Sequence, residues 1–154
     1  MKRKTKIAII ILTCITLVGV AGYMIIGNPA VFINNNKLGN SIQSIDNPTI
    51  QLNNVIPFEW DVFYTFGPYL GKEAIEEIIG FQSADIKENN INEGMEHLLF
   101  VKDDKVVASI LGYTSDLGYS INLTSKEGGQ VTFAENAQFD VKREDGVITL
   151  TYAK

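Results

Sequence analysis

The chain has 154 residues, of which 45% are hydrophobic and 10% aromatic, which is enough for one domain with a sizeable core. Beyond residue 26 it carries nine lysines and arginines against eighteen aspartates and glutamates. This acidic balance argues against nucleic acid and anionic lipid headgroups as direct partners of that part of the chain.

The first twenty-six residues differ from the rest in composition. Residues 1–6 carry four positive side chains and no acid, and residues 7–26 contain no charge. An apolar helix of about twenty residues spans the hydrocarbon core of a bilayer, and its basic flank stays in the cytoplasm. The sequence therefore predicts a cytoplasmic flank over 1–6, a transmembrane signal-anchor over 7–26 and a cell-membrane location, with the remaining chain outside the cell.

Two alternatives to a retained anchor remain open. Cleavage near Val20-Ala21-Gly22 would release a secreted protein, although the apolar region of a signal peptide is usually shorter, about 7–15 residues. Lipid attachment at Cys14 is the other alternative, but Thr13 is unfavourable before a lipid-modified cysteine. No cysteine follows Cys14, so the rest of the chain is expected to fold without a disulfide.

Residues 27–54 are predicted to be a spacer. Eight of the twenty-seven residues from Asn28 to Asn54 are asparagine. The asparagine side chain forms hydrogen bonds to its own backbone and favours turns over β-strand pairing. Two apolar patches, residues 31–33 and 50–52, could still pair with the folded part. The extracytoplasmic α+β domain is expected to cover residues 55–154.

The first predicted strand lies in the aromatic segment FEWDVFYTFGPYLG, residues 58–71. Every second residue from Ile56 to Phe66 is apolar, which is the period of a strand with one buried face. Gly67-Pro68 ends the strand. The predicted core side chains of this strand are Phe58, Trp60, Tyr64 and Phe66.

The same segment supplies the four candidate interaction residues, Phe63, Tyr69, Glu59 and Asp61. Phe63 lies on the polar face of the predicted strand, and aromatic side chains at such positions are common in protein interfaces. Glu59 and Asp61 lie about 7 Å apart along a strand that rises roughly 3.3 Å per residue. That spacing suits general acid–base catalysis, but any two acids at i and i+2 meet it. The alternative for Asp61 is a structural hydrogen bond to the backbone beside Gly67-Pro68.

A short helix and a series of strands are predicted for the rest of the chain. Residues 71–80 place Ile75, Ile78 and Ile79 on one side, and Gly80 is a typical helix end. After a loop over 85–94, three hairpins are predicted: 97–102 with 105–111, 118–125 with 130–134, and 138–144 with 147–152. The predicted fold is α+β: an N-terminal transmembrane helix, then a strand and short helix packed on an antiparallel β-meander of about six strands.

Little in the chain points to catalysis or to a cofactor. His97 is the one histidine, and a strand would place it and Glu96 on opposite faces, which disfavours a shared metal site. No serine lies in a glycine-flanked elbow, and no glycine loop typical of phosphate binding occurs. We therefore predict no catalytic residue, metal or cofactor, and expect His97 at a solvent-facing or edge position.

The run from Trp60 to Tyr69, W-D-x-x-Y-x-F-x-P-Y, and the helical segment 72–80 resemble a pattern in small uncharacterised proteins of Gram-positive bacteria. Those proteins carry a membrane anchor or a lipoprotein signal before one small domain. The resemblance covers residues 58–108 and includes the hairpin after the helix. This sequence departs from the pattern at the helix start, where Leu70-Gly71 stands in place of a capping threonine or serine. The resemblance implies an envelope location and indicates nothing about mechanism.

Three functional hypotheses follow. The leading one is a membrane-tethered, extracytoplasmic, non-catalytic protein-interaction domain that contacts another cell-envelope protein. The second is a domain that binds a small ligand or peptide on a concave sheet face, in a cavity lined by Trp60 and Tyr64. The third and weaker one is a carboxylate-dependent hydrolase, for which Glu59 and Asp61 must converge in a cleft with a shifted pKa.

Overall fold

The computed structural model describes residues 3–88 and 92–154, except for the side chains of residues 3–6, 8, 20, 21 and 23–26. The helices are α1 (Arg3–Ile26), α2 (Pro29–Gln43), α3 (Leu52–Val55), α4 (Lys72–Ile79) and α5 (Thr114–Leu117). The strands are β1 (Thr49–Gln51), β2 (Val62–Phe66), β3 (Met95–Lys102), β4 (Lys105–Tyr113), β5 (Tyr119–Asn122), β6 (Gln130–Thr132), β7 (Gln138–Glu144) and β8 (Val147–Tyr152). Two 3-10 turns cover Glu127–Gly129 and Phe133–Glu135.

The strands form two four-stranded sheets. Sheet A has the order β1-β7-β8-β5, and sheet B has the order β4-β3-β2-β6. Neighbouring strands are antiparallel except β5 and β8, which are parallel. Side chains of both sheets and of α2 share the main core, which includes Ile42, Phe63, Phe100, Ile121, Phe139 and Leu150.

Sheet B is covered on both faces. Its second face packs against α4 and the segment after it, in a smaller cluster that includes Tyr64, Phe66, Leu99, Ile75 and Ile86. Because neither face meets solvent, all four residues of 98–101 in β3 are buried. A strand buried on both faces reads as a continuous apolar run rather than as an alternating one.

Several predicted elements are confirmed. β3 pairs with β4 around Asp103-Asp104, and β7 pairs with β8 around Asp145-Gly146. All four turn residues have positive φ, from 48° to 82°, as a type I′ turn requires. The predicted helix over 71–80 is α4, and Gly80 ends it with φ 87°. In the predicted loop 85–94, residues 89–91 lie outside the described residues.

The predicted six-stranded meander is wrong, although the α+β class holds. The hairpin expected from 118–125 and 130–134 does not form, because β5 pairs in parallel with β8 and β6 pairs with β2 in the other sheet. Alternation along a strand defines its two faces but does not specify its neighbour. The strands on either side of the turn at 127–129 therefore belong to different sheets.

The predicted transmembrane signal-anchor is also wrong. Within residues 3–88 and 92–154, no helix is long and apolar enough to cross a membrane. The predicted cell-membrane localisation, which depended on residues 7–26 as the anchor, is therefore not supported either. α1 begins at Arg3, inside the predicted basic flank, of which residues 1 and 2 lie outside the described part.

The asparagine-rich segment 27–54 differs from the predicted spacer. Its first part is α2, where the side chain of Asn28 accepts a hydrogen bond from the Ala30 N–H (3.1 Å) and Pro29 occupies the first turn. Leu38 and Ile42 of this helix are fully buried in the main core. The segment is therefore part of the folded unit.

Two asparagines of α2 bond the outer edge of β4. Asn34 Nδ2 donates to the Val107 carbonyl (2.9 Å), while Asn35 donates to the Ser109 carbonyl (2.9 Å) and accepts from the Ser109 N–H (2.9 Å). A primary amide carries a donor and an acceptor side by side, as a peptide group does. Asn35 thus pairs with β4 as a neighbouring strand would, and it protects an edge that would otherwise expose unpaired backbone groups.

We expect Asn35→Leu to lower the free energy of unfolding by about 2–4 kcal/mol, because it leaves the buried N–H and carbonyl of Ser109 without partners. Urea unfolding measures this change. Asn36→Leu is the matched control, since among the described residues the Asn36 amide donates only to the Phe32 carbonyl of its own helix. We expect this variant to change the free energy of unfolding by no more than about 0.5 kcal/mol. Equal losses in the two variants would contradict the role of Asn35.

Candidate functional site

A surface concavity of about 760 Å³ lies beside β1, and we call it the β1 groove. Four segments contribute to its walls: the end of α2 with the following loop, β1, α3, and the start of β7. Most of the lining side chains are polar, and they include Ser44, Asn47, Thr49, Gln51, Asn54 and Gln138. The groove therefore offers hydroxyl and amide groups to a partner.

Hydrogen bonds hold the segment around the groove in place. The Ser41 hydroxyl donates to the Val55 carbonyl, which joins the end of α2 to the end of α3. Arg143 Nη2 donates to the carbonyls of Gln43 and Ile45, both at 3.3 Å. These bonds tie the start of the loop to β7 and the end of α2 to α3, so the walls of the groove belong to the folded structure.

β1 is an edge strand whose outer side lies in the groove. Among the strands that the structure describes, it pairs only with β7. The Pro48 carbonyl accepts from the Val141 N–H (2.8 Å), and the Leu52 N–H donates to the Ala137 carbonyl (3.0 Å). Since the direction of backbone groups alternates along an antiparallel strand, the peptide groups of Thr49 and Gln51 point away from β7. Both residues line the groove.

The aromatic segment is divided between the two cores. Trp60 and Phe63 belong to the main core, and Tyr64 and Phe66 belong to the second cluster. Phe63, predicted to lie on a polar face, is fully buried and stacks on Phe100 with 4.4 Å between ring centroids. It lies there because sheet B has no solvent-facing side. Since Trp60 and Tyr64 are in different clusters, they do not line one ligand cavity.

Tyr69 lies on the surface, as an interaction residue must. Its side chain is 66% exposed, and its backbone has φ 71°, a conformation that is unusual for a bulky residue. Tyr69 is not part of the β1 groove. Its role in an interaction stays a prediction.

Asp61 has a structural role, though at a different turn from the one predicted. Its carboxylate accepts hydrogen bonds from Lys102 Nζ and from the Asp103 N–H, both at 2.9 Å. The Asp103 N–H, followed by Lys102, lowers the pKa of Asp61. These contacts fix the β3–β4 turn rather than the bend at 67–68. Glu59 is exposed, and none of the described contacts joins it to Asp61.

His97 is fully buried rather than solvent-facing. Its Nε2 lies 2.9 Å from Ser109 Oγ, and its Nδ1 has no hydrogen-bond partner among the described residues. Sequence reasoning missed this pair because the register of β3 and β4 shifts between Phe100 and Val101. The shift moves Ser109 to the face that His97 occupies, whereas an unbroken register would place it on the other face.

A serine beside a histidine can act as a nucleophile and its base, but a substrate could not reach this pair because both residues are fully buried. Burial lowers the pKa of His97 to about 4, and the nearby charge of Lys87 acts in the same direction. The imidazole is therefore neutral at neutral pH. The geometry supports a structural contact within sheet B.

Glu96 faces away from His97, as the strand geometry predicted. Its carboxylate accepts a hydrogen bond of 2.6 Å from the Ser120 hydroxyl and so connects sheet B to sheet A. Burial raises the pKa of Glu96. In the part of the chain that the structure describes, no group of three histidine, cysteine or acidic side chains could hold a metal ion.

Comparisons with known proteins identify no relative: no family model, curated protein or solved structure matches the chain. The resemblance of residues 58–108 to proteins of Gram-positive bacteria therefore stays a prediction.

We expect the free energy of unfolding to fall as the pH drops from about 6.5 to about 4, because unfolded His97 binds a proton near pKa 6.5 while folded His97 does so only near 4. The unfolded state holds more protons throughout this window, so acid favours it. This decrease in the free energy of unfolding is on the order of 3 kcal/mol in the wild-type protein, and the His97→Gln variant should not show it.

Urea unfolding of both proteins across this pH window measures the difference. Glu96, whose raised pKa acts in the opposite direction, is present in both proteins and cancels in the comparison. Identical pH slopes for the two proteins would contradict a buried neutral His97.

Proposed function

We propose that this chain is a non-catalytic protein-interaction domain that binds an extended segment of a partner protein along β1. The supporting observation is the outward direction of the Thr49 and Gln51 peptide groups inside the β1 groove. A peptide aligned there would add a fifth strand to sheet A, which is a common mode of peptide recognition.

The lining of the groove favours a polar peptide. Backbone hydrogen bonds to β1 would supply affinity, and the side chains of Ser44, Asn47 and Asn54 would recognise polar groups of the partner. β1 has three residues, so only a few backbone bonds can form. We therefore expect a weak and reversible association.

The other two hypotheses have less support. A ligand site on the concave sheet face required a cavity between Trp60 and Tyr64, which lie in different core clusters. A hydrolase required a free carboxylate at Asp61, which is bonded to Lys102 and to the Asp103 N–H. Binding at the open strand edge depends on neither arrangement.

We expect Gln51→Pro to weaken peptide binding at least about tenfold, because proline lacks the N–H that points into the groove. Gln51 has φ −95°, about 30° from the usual angle of proline. Its N–H points away from β7, so the substitution removes no hydrogen bond between β1 and β7. The probe is a peptide selected with the wild-type protein from a phage library of random sequences, and fluorescence anisotropy measures its affinity.

Gln51→Ala is the matched control, since it removes the side chain and keeps the N–H, and we expect it to retain most of the binding. Amide hydrogen exchange at Thr49 and Gln51 should slow when the peptide binds. Wild-type affinity in Gln51→Pro, or failure of the library to yield any binder, would contradict strand addition at β1.

A further inference from the structure

A second concavity, of about 370 Å³, lies between α2, β4 and α5 and shares no lining residue with the β1 groove. We call it the Tyr119 cleft. The lining residues that matter here are Asn36, Asn40, Lys87, Asp116, Leu117 and Tyr119. They combine both signs of charge with amide, phenol and apolar groups.

Tyr119 forms a buried wall of the cleft. Its side chain is only 3% exposed, and a Cβ atom at Gly39 would lie 3.5 Å from its ring. Burial raises the pKa of Tyr119 to about 12, so its hydroxyl keeps its proton and can donate a hydrogen bond. Burial is the sole cause of this shift, and none of the described hydrogen bonds involves the hydroxyl.

The two charges of the cleft lack partners of opposite sign. Neither Lys87 nor Asp116 forms an ion pair with any residue in the described ranges. The one described side-chain hydrogen bond of Asp116 comes from the adjacent Ser115 hydroxyl at 3.4 Å. Two opposite charges that line one cleft without pairing can each bind one end of a zwitterion.

We infer that the Tyr119 cleft binds a free amino acid with an apolar side chain. Lys87 binds its carboxylate, Asp116 binds its ammonium group, and the Tyr119 hydroxyl donates a further hydrogen bond to the carboxylate. Leu117 and its apolar neighbours in the lining contact the side chain. A volume of about 370 Å³ is near the lower end of small-molecule sites.

Leucine is the probe, and calorimetric titration of the full chain measures its affinity. N-acetyl-leucine lacks the ammonium group and leucine amide lacks the carboxylate, so we expect each to bind at least about tenfold more weakly than leucine. Lys87→Gln and Asp116→Asn should each weaken leucine binding by a similar factor. Both residues are exposed, so the variants should fold.

Lys105→Gln and Asp104→Asn are the matched controls, because they make the same charge changes at the β3–β4 turn, and we expect them to bind leucine normally. Absence of leucine binding would overturn the inference. Equal affinity for N-acetyl-leucine would also overturn it, since that result marks a simple anion site at Lys87. Gln51→Pro should leave leucine binding unchanged, which separates this site from the β1 groove.

Discussion

The pairing of the Asn35 side chain with the Ser109 backbone fixes the position of α2 against sheet B. It joins α2 to the outer edge of β4 through both the N–H and the carbonyl of one buried residue. With α2 held there, Leu38 and Ile42 reach the main core between the sheets. The same placement directs the chain from the end of α2 into β1, and so it creates the β1 groove.

One outer edge of sheet B is covered and one outer edge of sheet A is open, and this difference supports the proposed function. The edge of β4 is covered by asparagine side chains, which removes it as a site for further strand pairing. The edge of β1 lies in an open groove, with peptide groups of Thr49 and Gln51 directed outward. An open edge beside a preformed polar groove is suited to binding an extended segment.

Burial of sheet B on both faces explains most differences between the predicted and observed positions of individual side chains. Alternation predicts a polar face for Phe63, but α4 covers one face of sheet B, and sheet A with α2 covers the other. His97 is buried for the same reason. Its contact with Ser109 also requires the shift in register between β3 and β4, which no local sequence pattern indicates.

The local elements follow from the sequence alone: the two hairpins with positive-φ turns and the helix α4 that ends at Gly80. These follow from periodicity and turn chemistry within a few residues. Long-range packing sets the pairing of β5 with β8 and of β6 with β2, and it makes the asparagines of α2 bond a strand instead of forming a spacer. Those choices depend on contacts between residues distant in the chain, and the pattern within a segment does not specify its neighbour.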